Sequence, residues 1–227
     1  MGMTLEQAKD RLRRMIQEAS AALFQESDLY EFISDAQQEF CADTDCLCGL
    51  TTFDISDGVL EHTLPTGTQR IFELWWVDGD SYWLLEQADD VESTMIWGEK
   101  QRKEGKPTRY IRRTFDKIQL NPLPAADKTC QIYRSYEPAA ISLSADTFSV
   151  RDSWVRKCVL SLAAQRAFER SGEMEKAESY KRDYFYNLQE VKKQVDRWNV
   201  RSKPASQFQP QWNRASKMEH PLYDVLT

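Results

Sequence analysis

A chain of 227 residues with a formal net charge of −6 is long enough to bury a sizeable core without staples, and its acidity argues against a general nucleic-acid coat. Five cysteines are an odd number and no basic, apolar leader opens the chain, so the sequence predicts reduced thiols in a cytoplasm rather than a secreted disulfide framework. The apolar segment 71–77 is broken by Glu73 and ends at Asp78, far short of the ~20 residues of a membrane span, so no membrane partner is expected.

Thr4 and Gln7 form a capping-box pattern, and Leu5, Ala8, Leu12, Met15, Ile16 and Ala19 recur at helical spacing, which predicts a first helix running to about Leu23. Ser27 is the expected N-cap of a second, antiparallel helix with Asp28 in its first turn and an apolar stripe of Leu29, Phe32, Ile33, Ala36 and Phe40. Residues 50–55 and 59–64 read as strands around the turn Asp57-Gly58, a β-hairpin ended by Pro65. Residues 69–77 read as a strand buried on much of both faces, turning at Asp78-Gly79-Asp80 into a return strand over 81–85 that carries Trp83.

Residues 89–103 have the spacing of a short helix, with Val91, Met95 and Ile96, stopped by Gly105. The stretch 104–143 is the β centre: a Gly105-Lys106-Pro107 turn, strands over 108–115 and 117–120 hinged at Asp116, and a stop at Asn121-Pro122-Leu123-Pro124. A third strand over 130–136 should bury Cys130, Ile132 and Tyr136. Asp152 is placed to cap a helix with Trp154, Val155, Cys158, Val159, Leu162, Ala163 and Phe168 on one side, broken at Ser171-Gly172. A long helix over 174–198 follows, with its stripe at Ala177, Tyr180, Tyr184, Leu188, Val191, Val195 and Trp198.

The expected fold class is therefore α+β. A body of two helical hairpins, residues 1–48 and 149–198, flanks an inserted antiparallel β region over 49–148, and residues 199–227 form an extended C-terminal arm. Pro204, Pro210 and Pro221 interrupt that arm, and it cannot build a core alone. Its spaced bulky residues Phe208, Trp212, Met218, Leu222, Tyr223 and Leu226, with Trp198 before them, suit strand addition or groove docking on a partner. Charge is polarised in the same frame: residues 1–60 carry a net −8 and residues 151–203 a net +5, which opposite faces or neighbours could use.

Reactive chemistry is sparse. His62 and His220 are the only histidines and neither sits in a metal or relay motif, so they read as a strand and a tail histidine. Cys41, Cys46 and Cys48 are spaced C-x4-C-x-C, which differs from common zinc modules and reads as small buried or loop thiols. No glycine pattern cradles a phosphate, and no cofactor is expected. Arg109-Tyr110-Ile111-Arg112-Arg113 interleaves bases with an aromatic; with the basic last helix it supports an alternative reading as a nucleic-acid-binding module, against ordinary strand-face arginines.

The order of local signatures resembles the head-tail adaptor, or connector, proteins of tailed bacteriophages over most of residues 4–198. The residues that carry it are Ser27-Asp28-Leu29 with Ile33 and Ala36-Gln37, Leu64-Pro65 before the Trp-rich strand, and Gly105-Lys106-Pro107-Thr108-Arg109-Tyr110. Leu120-Asn121-Pro122-Leu123-Pro124, Tyr133, Leu143-Ser144 and the final helical pair continue it. His62-Thr63 departs from it, where an aromatic would precede Leu64-Pro65. The resemblance implies a non-enzymatic structural protein of the virion neck, a ring of about twelve copies. Such a ring docks beneath the portal, meets a tail or nozzle protein, and lets genomic DNA pass its centre without sequence-specific binding.

Overall fold

Thr4 opens the first helix as its capping box requires: its hydroxyl accepts from the Gln7 N–H at 3.3 Å, and the Gln7 side chain accepts from the Thr4 N–H at 3.3 Å. The computed structural model describes residues 2–17, 23–88 and 104–202, the side chains of 198–202 excepted. Helix α1, Leu5–Met15, is shorter than its spacing predicts, because Ile16 closes the last turn and Gln17 adopts φ 59°, outside helical space. Residue 19 lies outside the described residues.

Helix α2, Glu26–Thr44, starts two residues earlier than a Ser27 cap would place it. The Gln25 N–H donates to the Asp28 carboxylate at 2.9 Å, so Asp28 satisfies an orphan donor from the third helical position, where its charge suits the positive helix end. Asp45 ends the helix in the left-handed region at φ 50°.

Helix α3 runs without a break through Asp152–Trp154, a π-helical turn Val155–Val159 and Leu160–Ser171, and Gly172 ends it at φ 81° as the sequence predicts. Its N-cap is Arg151 rather than Asp152; the Asp152 carboxylate instead accepts from the Met3 N–H at 2.8 Å, a partner no local pattern names. Helix α4 is Met174–Ser202.

The chain divides into two compact units. The first, Met1–Cys48 with Ser135–Arg201, gathers the apolar faces of all four helices into one cluster that includes Leu12, Leu29, Ile33, Phe40, Val159, Tyr184 and Val195. Leu5 donates its N–H to the Asp146 carbonyl at 2.8 Å, which ties the first helix to the segment before α3.

The described part of the second unit, Gly49–Arg134, is built of strands. These are β1 Cys48–Ile55, β2 Glu61–Thr63, β3 Thr68–Asp78, β4 Ser81–Leu84, β5 Glu86–Gln87, β6 Glu104–Gly105, β7 Arg109–Arg112, β8 Lys117–Asn121, β9 Leu123–Pro124 and β10 Lys128–Tyr136. One four-stranded sheet has the order β1-β10-β3-β4, another β2-β8-β7-β5, and β6 pairs β9. Both four-stranded sheets contribute to one cluster that includes Leu74, Trp76, Tyr110, Ile118, Leu120 and Ile132.

Two predicted hairpins form. In β3–β4 the register Asp78↔Ser81 leaves Gly79-Asp80 as the loop, with Gly79 at φ 58°; in β7–β8, Tyr110 faces Leu120 and Arg112 faces Ile118. The β1–β2 hairpin does not form, because the two strands belong to different sheets and β2 pairs β8. The reason lies in the intended turn, whose donors point elsewhere: the Gly58 N–H reaches the Pro124 carbonyl at 2.9 Å and the Asp57 N–H reaches the Asp127 carboxylate at 2.8 Å. Strand β10 likewise joins the sheet of β1 and β3 rather than that of β7–β8; as an inner strand it buries Tyr133 and Ser135 as well as Cys130 and Ile132, while Tyr136 is half-buried. The helix predicted over 89–103 lies outside the described residues. Among the described residues no helix is long and apolar enough to cross a membrane.

Candidate assembly surfaces

Part of the charge polarity between the two ends of the chain is satisfied within the first unit. Arg166 on α3 reaches Asp35 at 3.1 Å and Glu39 at 2.5 Å on α2, and Arg170 reaches Asp28 at 3.2 Å. These pairs are half-exposed, so each is worth under about 1 kcal/mol, but together they fix the register of α3 on α2. Charge reversal by Arg166→Glu places three carboxylates together and is expected to lower the unfolding free energy by about 2 kcal/mol at low salt, less at 1 M salt, in urea titrations.

Lys9 on α1 is a second internal charge site. Its amine, 4 % exposed, lies 2.6 Å from Glu6 and 2.7 Å from Glu26, and the Tyr30 hydroxyl donates to Glu6 at 2.7 Å. Burial alone would push the amine down; hydrogen bonds to Glu26 and Glu6 outweigh it and hold the amine above its ordinary range.

The three arginines of the interleaved motif are all engaged inside the second unit. Arg109 pairs with Glu86 at 3.4 Å, and Arg113 donates through Nε to the Gln119 side chain at 3.0 Å. Arg112 directs its guanidinium at backbone: it donates to the carbonyls of Gln69 at 2.5 Å, Thr68 at 2.8 Å and Phe115 at 2.5 Å. A guanidinium so occupied joins the β7–β8 loop to the start of β3.

His62 sits in β2 and is 5 % exposed; burial pushes it below its ordinary pKa although the Val59 carbonyl bonds the ring. Burial thus favours the neutral imidazole, as for a core strand histidine. His220 lies outside the described residues. Among the described residues no three His, Cys, Asp or Glu side chains group to hold a metal.

Large apolar groups reach solvent at particular places. On α4, Phe185 is 50 % and Tyr186 74 % exposed; on β4, Trp83 and Leu84 are exposed; at the β7–β8 loop tip Phe115 is 87 % exposed. The helical spacing does not single out Phe185 and Tyr186, because the buried stripe takes only Tyr184 from the run at 184–186. Two aromatics off the stripe were the available signal. The side chain of Trp198 and all of Phe208, Trp212, Met218, Leu222, Tyr223 and Leu226 lie outside the described residues.

The sequence model of one protein family, described as SU10 adaptor protein, matches residues 3–207. The chain belongs to the SU10 adaptor protein family. No curated protein matches it. The adaptor is thus a bacteriophage structural protein, a component of the virion neck that interacts with other head and tail proteins. The match takes in residues of both units of the adaptor and ends at Gln207.

Proposed function

We propose that this adaptor assembles into a closed ring of about twelve copies that docks to the portal and joins the DNA-filled head to a tail or nozzle protein. The observation that carries the reading is the family match over residues 3–207, which takes in both units. Genomic DNA passes through the centre without sequence-specific binding, and the protein has no catalytic role. A channel lined by acidic groups would repel phosphates and let the genome slide, whereas a basic lining would hold it through counterion release. The engagement of Arg109, Arg112 and Arg113 by neighbouring groups speaks for the adaptor reading over a nucleic-acid-binding module.

In this reading the helix pairs at the two ends of the chain form the body, the β region is attached to it, and the C-terminal arm reaches the portal or an adjacent subunit through Trp198, Phe208, Trp212, Met218, Leu222, Tyr223 and Leu226. Because α4 runs to Ser202, the informative truncation removes residues 203–227 and leaves the helix whole. The truncated protein is expected to fold but to form no rings with portal in negative-stain microscopy, where the full chain does. Normal rings from the truncated protein would refute the role of the arm. Duplex DNA binding that weakens steeply with salt would favour the nucleic-acid module instead.

A further inference from the structure

The three cysteines near the end of α2 are brought together in a way their spacing does not announce. Cys41 and Cys46 have their sulfurs 3.8 Å apart, the left-handed turn at Asp45 folding Cys46 back over α2. Cys48 lies beside them, its thiol donating to the Asp45 carbonyl at 2.8 Å. All five cysteines are thiols in this structure. Cys46 and Cys48 also line an open cleft of about 250 Å³ in the first unit, whose wall includes Tyr136, Arg151 and Trp154. Cys41 is 1 % exposed and stands behind Cys46.

This is a layered arrangement: Cys46 and Cys48 in the wall of a solvent-connected cleft, Cys41 behind the wall within reach of Cys46, and the Arg151 cation in the same wall suited to an anionic reagent. Cys130 and Cys158 differ, being fully buried, and burial pushes their thiols up to about 12 and about 11. The sulfur contact with Cys41 holds Cys46 below its ordinary value, and the same contact together with burial holds Cys41 above it.

We infer that Cys46 and Cys41 form a redox modification site, in which a small-molecule disulfide entering the cleft converts the pair into an intramolecular disulfide. The Cys46 thiolate attacks one sulfur of the small disulfide, forming a mixed disulfide and expelling one thiolate. The Cys41 thiolate then attacks the Cys46 sulfur and expels the second. Two protein thiols are oxidised by two electrons in all, the small disulfide is reduced to two thiols, and the two protons leave with them. On the function proposed above, the protein would meet both conditions, a reducing cytoplasm during assembly and an oxidising medium once the virion is released. The resulting bond would staple the last turn of α2 to the segment that enters β1.

The test uses the reduced full chain, oxidised glutathione as probe, and mass spectrometry of a non-reducing digest. The expected product is a Cys41–Cys46 cross-link, with two of the five thiols lost and both recovered on addition of dithiothreitol. Cys46 should react about ten-fold faster than Cys130 and Cys158. In Cys41→Ser or Cys41→Ala, Cys46 should retain glutathione as a trapped mixed disulfide. The wild-type cross-link is read without any substitution, so misfolding of a variant cannot rescue the idea. A Cys46–Cys48 cross-link, glutathione on Cys48 with Cys46 unmodified, or no thiol loss in the folded protein would each overturn it.

Discussion

Phe40→Ala is expected to lower the unfolding free energy of the helical unit by about 4 kcal/mol, the range for deleting a fully buried aromatic ring. Phe40 has 0 % exposure, faces α3 from α2, and packs its ring 6.2 Å from that of Trp154. The site has little means to collapse, because the same core cluster includes the small, fully buried Ala163 and Ala164 on a helix already held by Arg166 and Arg170. Urea unfolding followed by far-ultraviolet circular dichroism measures the loss. Tyr186→Ala, at 74 % exposure on α4, is the control and should stay within about 0.5 kcal/mol of the parent. Equal midpoints for the two variants would remove Phe40 from the core.

Arg112→Ala should cost the β unit about 3 kcal/mol. A hydrogen bond to a charged group contributes roughly 1.5–3 kcal/mol, and the carbonyls of Thr68, Gln69 and Phe115 share one guanidinium, so their losses do not add in full. Arg112→Lys is the discriminating companion: an ammonium keeps the charge but cannot span three carbonyls in a planar fork, so it should recover less than half of the loss. Tryptophan fluorescence, to which Trp75, Trp76 and Trp83 of this unit contribute, would follow the unfolding. Full recovery by lysine would mean that charge rather than geometry holds the loop to β3.

What the sequence reveals of this fold is what is decided locally. Thr4 with Gln7, Gly172 after α3, Gly79 in the β3–β4 turn and the β7–β8 hairpin each involve residues a few positions apart, and each forms. The failures are decided at a distance. Asp57-Gly58 has the composition of a hairpin turn, but its N–H groups find Asp127 and Pro124 some 66 to 70 positions away, and β2 pairs β8 in the other sheet. Asp152 has the composition of a cap, but its carboxylate is claimed by Met3 across 149 positions. Among the candidate surface groups, Arg109, Arg112 and Arg113 could be seen in the sequence while their partners could not, since strand alternation gives a side chain's face and not what it meets there. The cysteine cluster is hidden for the same reason: C-x4-C-x-C conveys nothing until the left-handed Asp45 closes the gap.

The helical unit is assembled from the two ends of the chain, residues 1–48 and 135–201, with the β unit between them. During synthesis this imposes an order. When Arg134 leaves the ribosome the whole of residues 49–134 is available to fold, whereas α1 and α2 expose Leu12, Leu29, Ile33 and Phe40 until α3 and α4 have been translated. At about 5–20 residues per second that wait lasts several seconds. The N-terminal helices are therefore the segment most in need of shelter in the nascent chain, and α4, the last helix among the described residues, supplies the Tyr184, Leu188 and Val195 that complete their core.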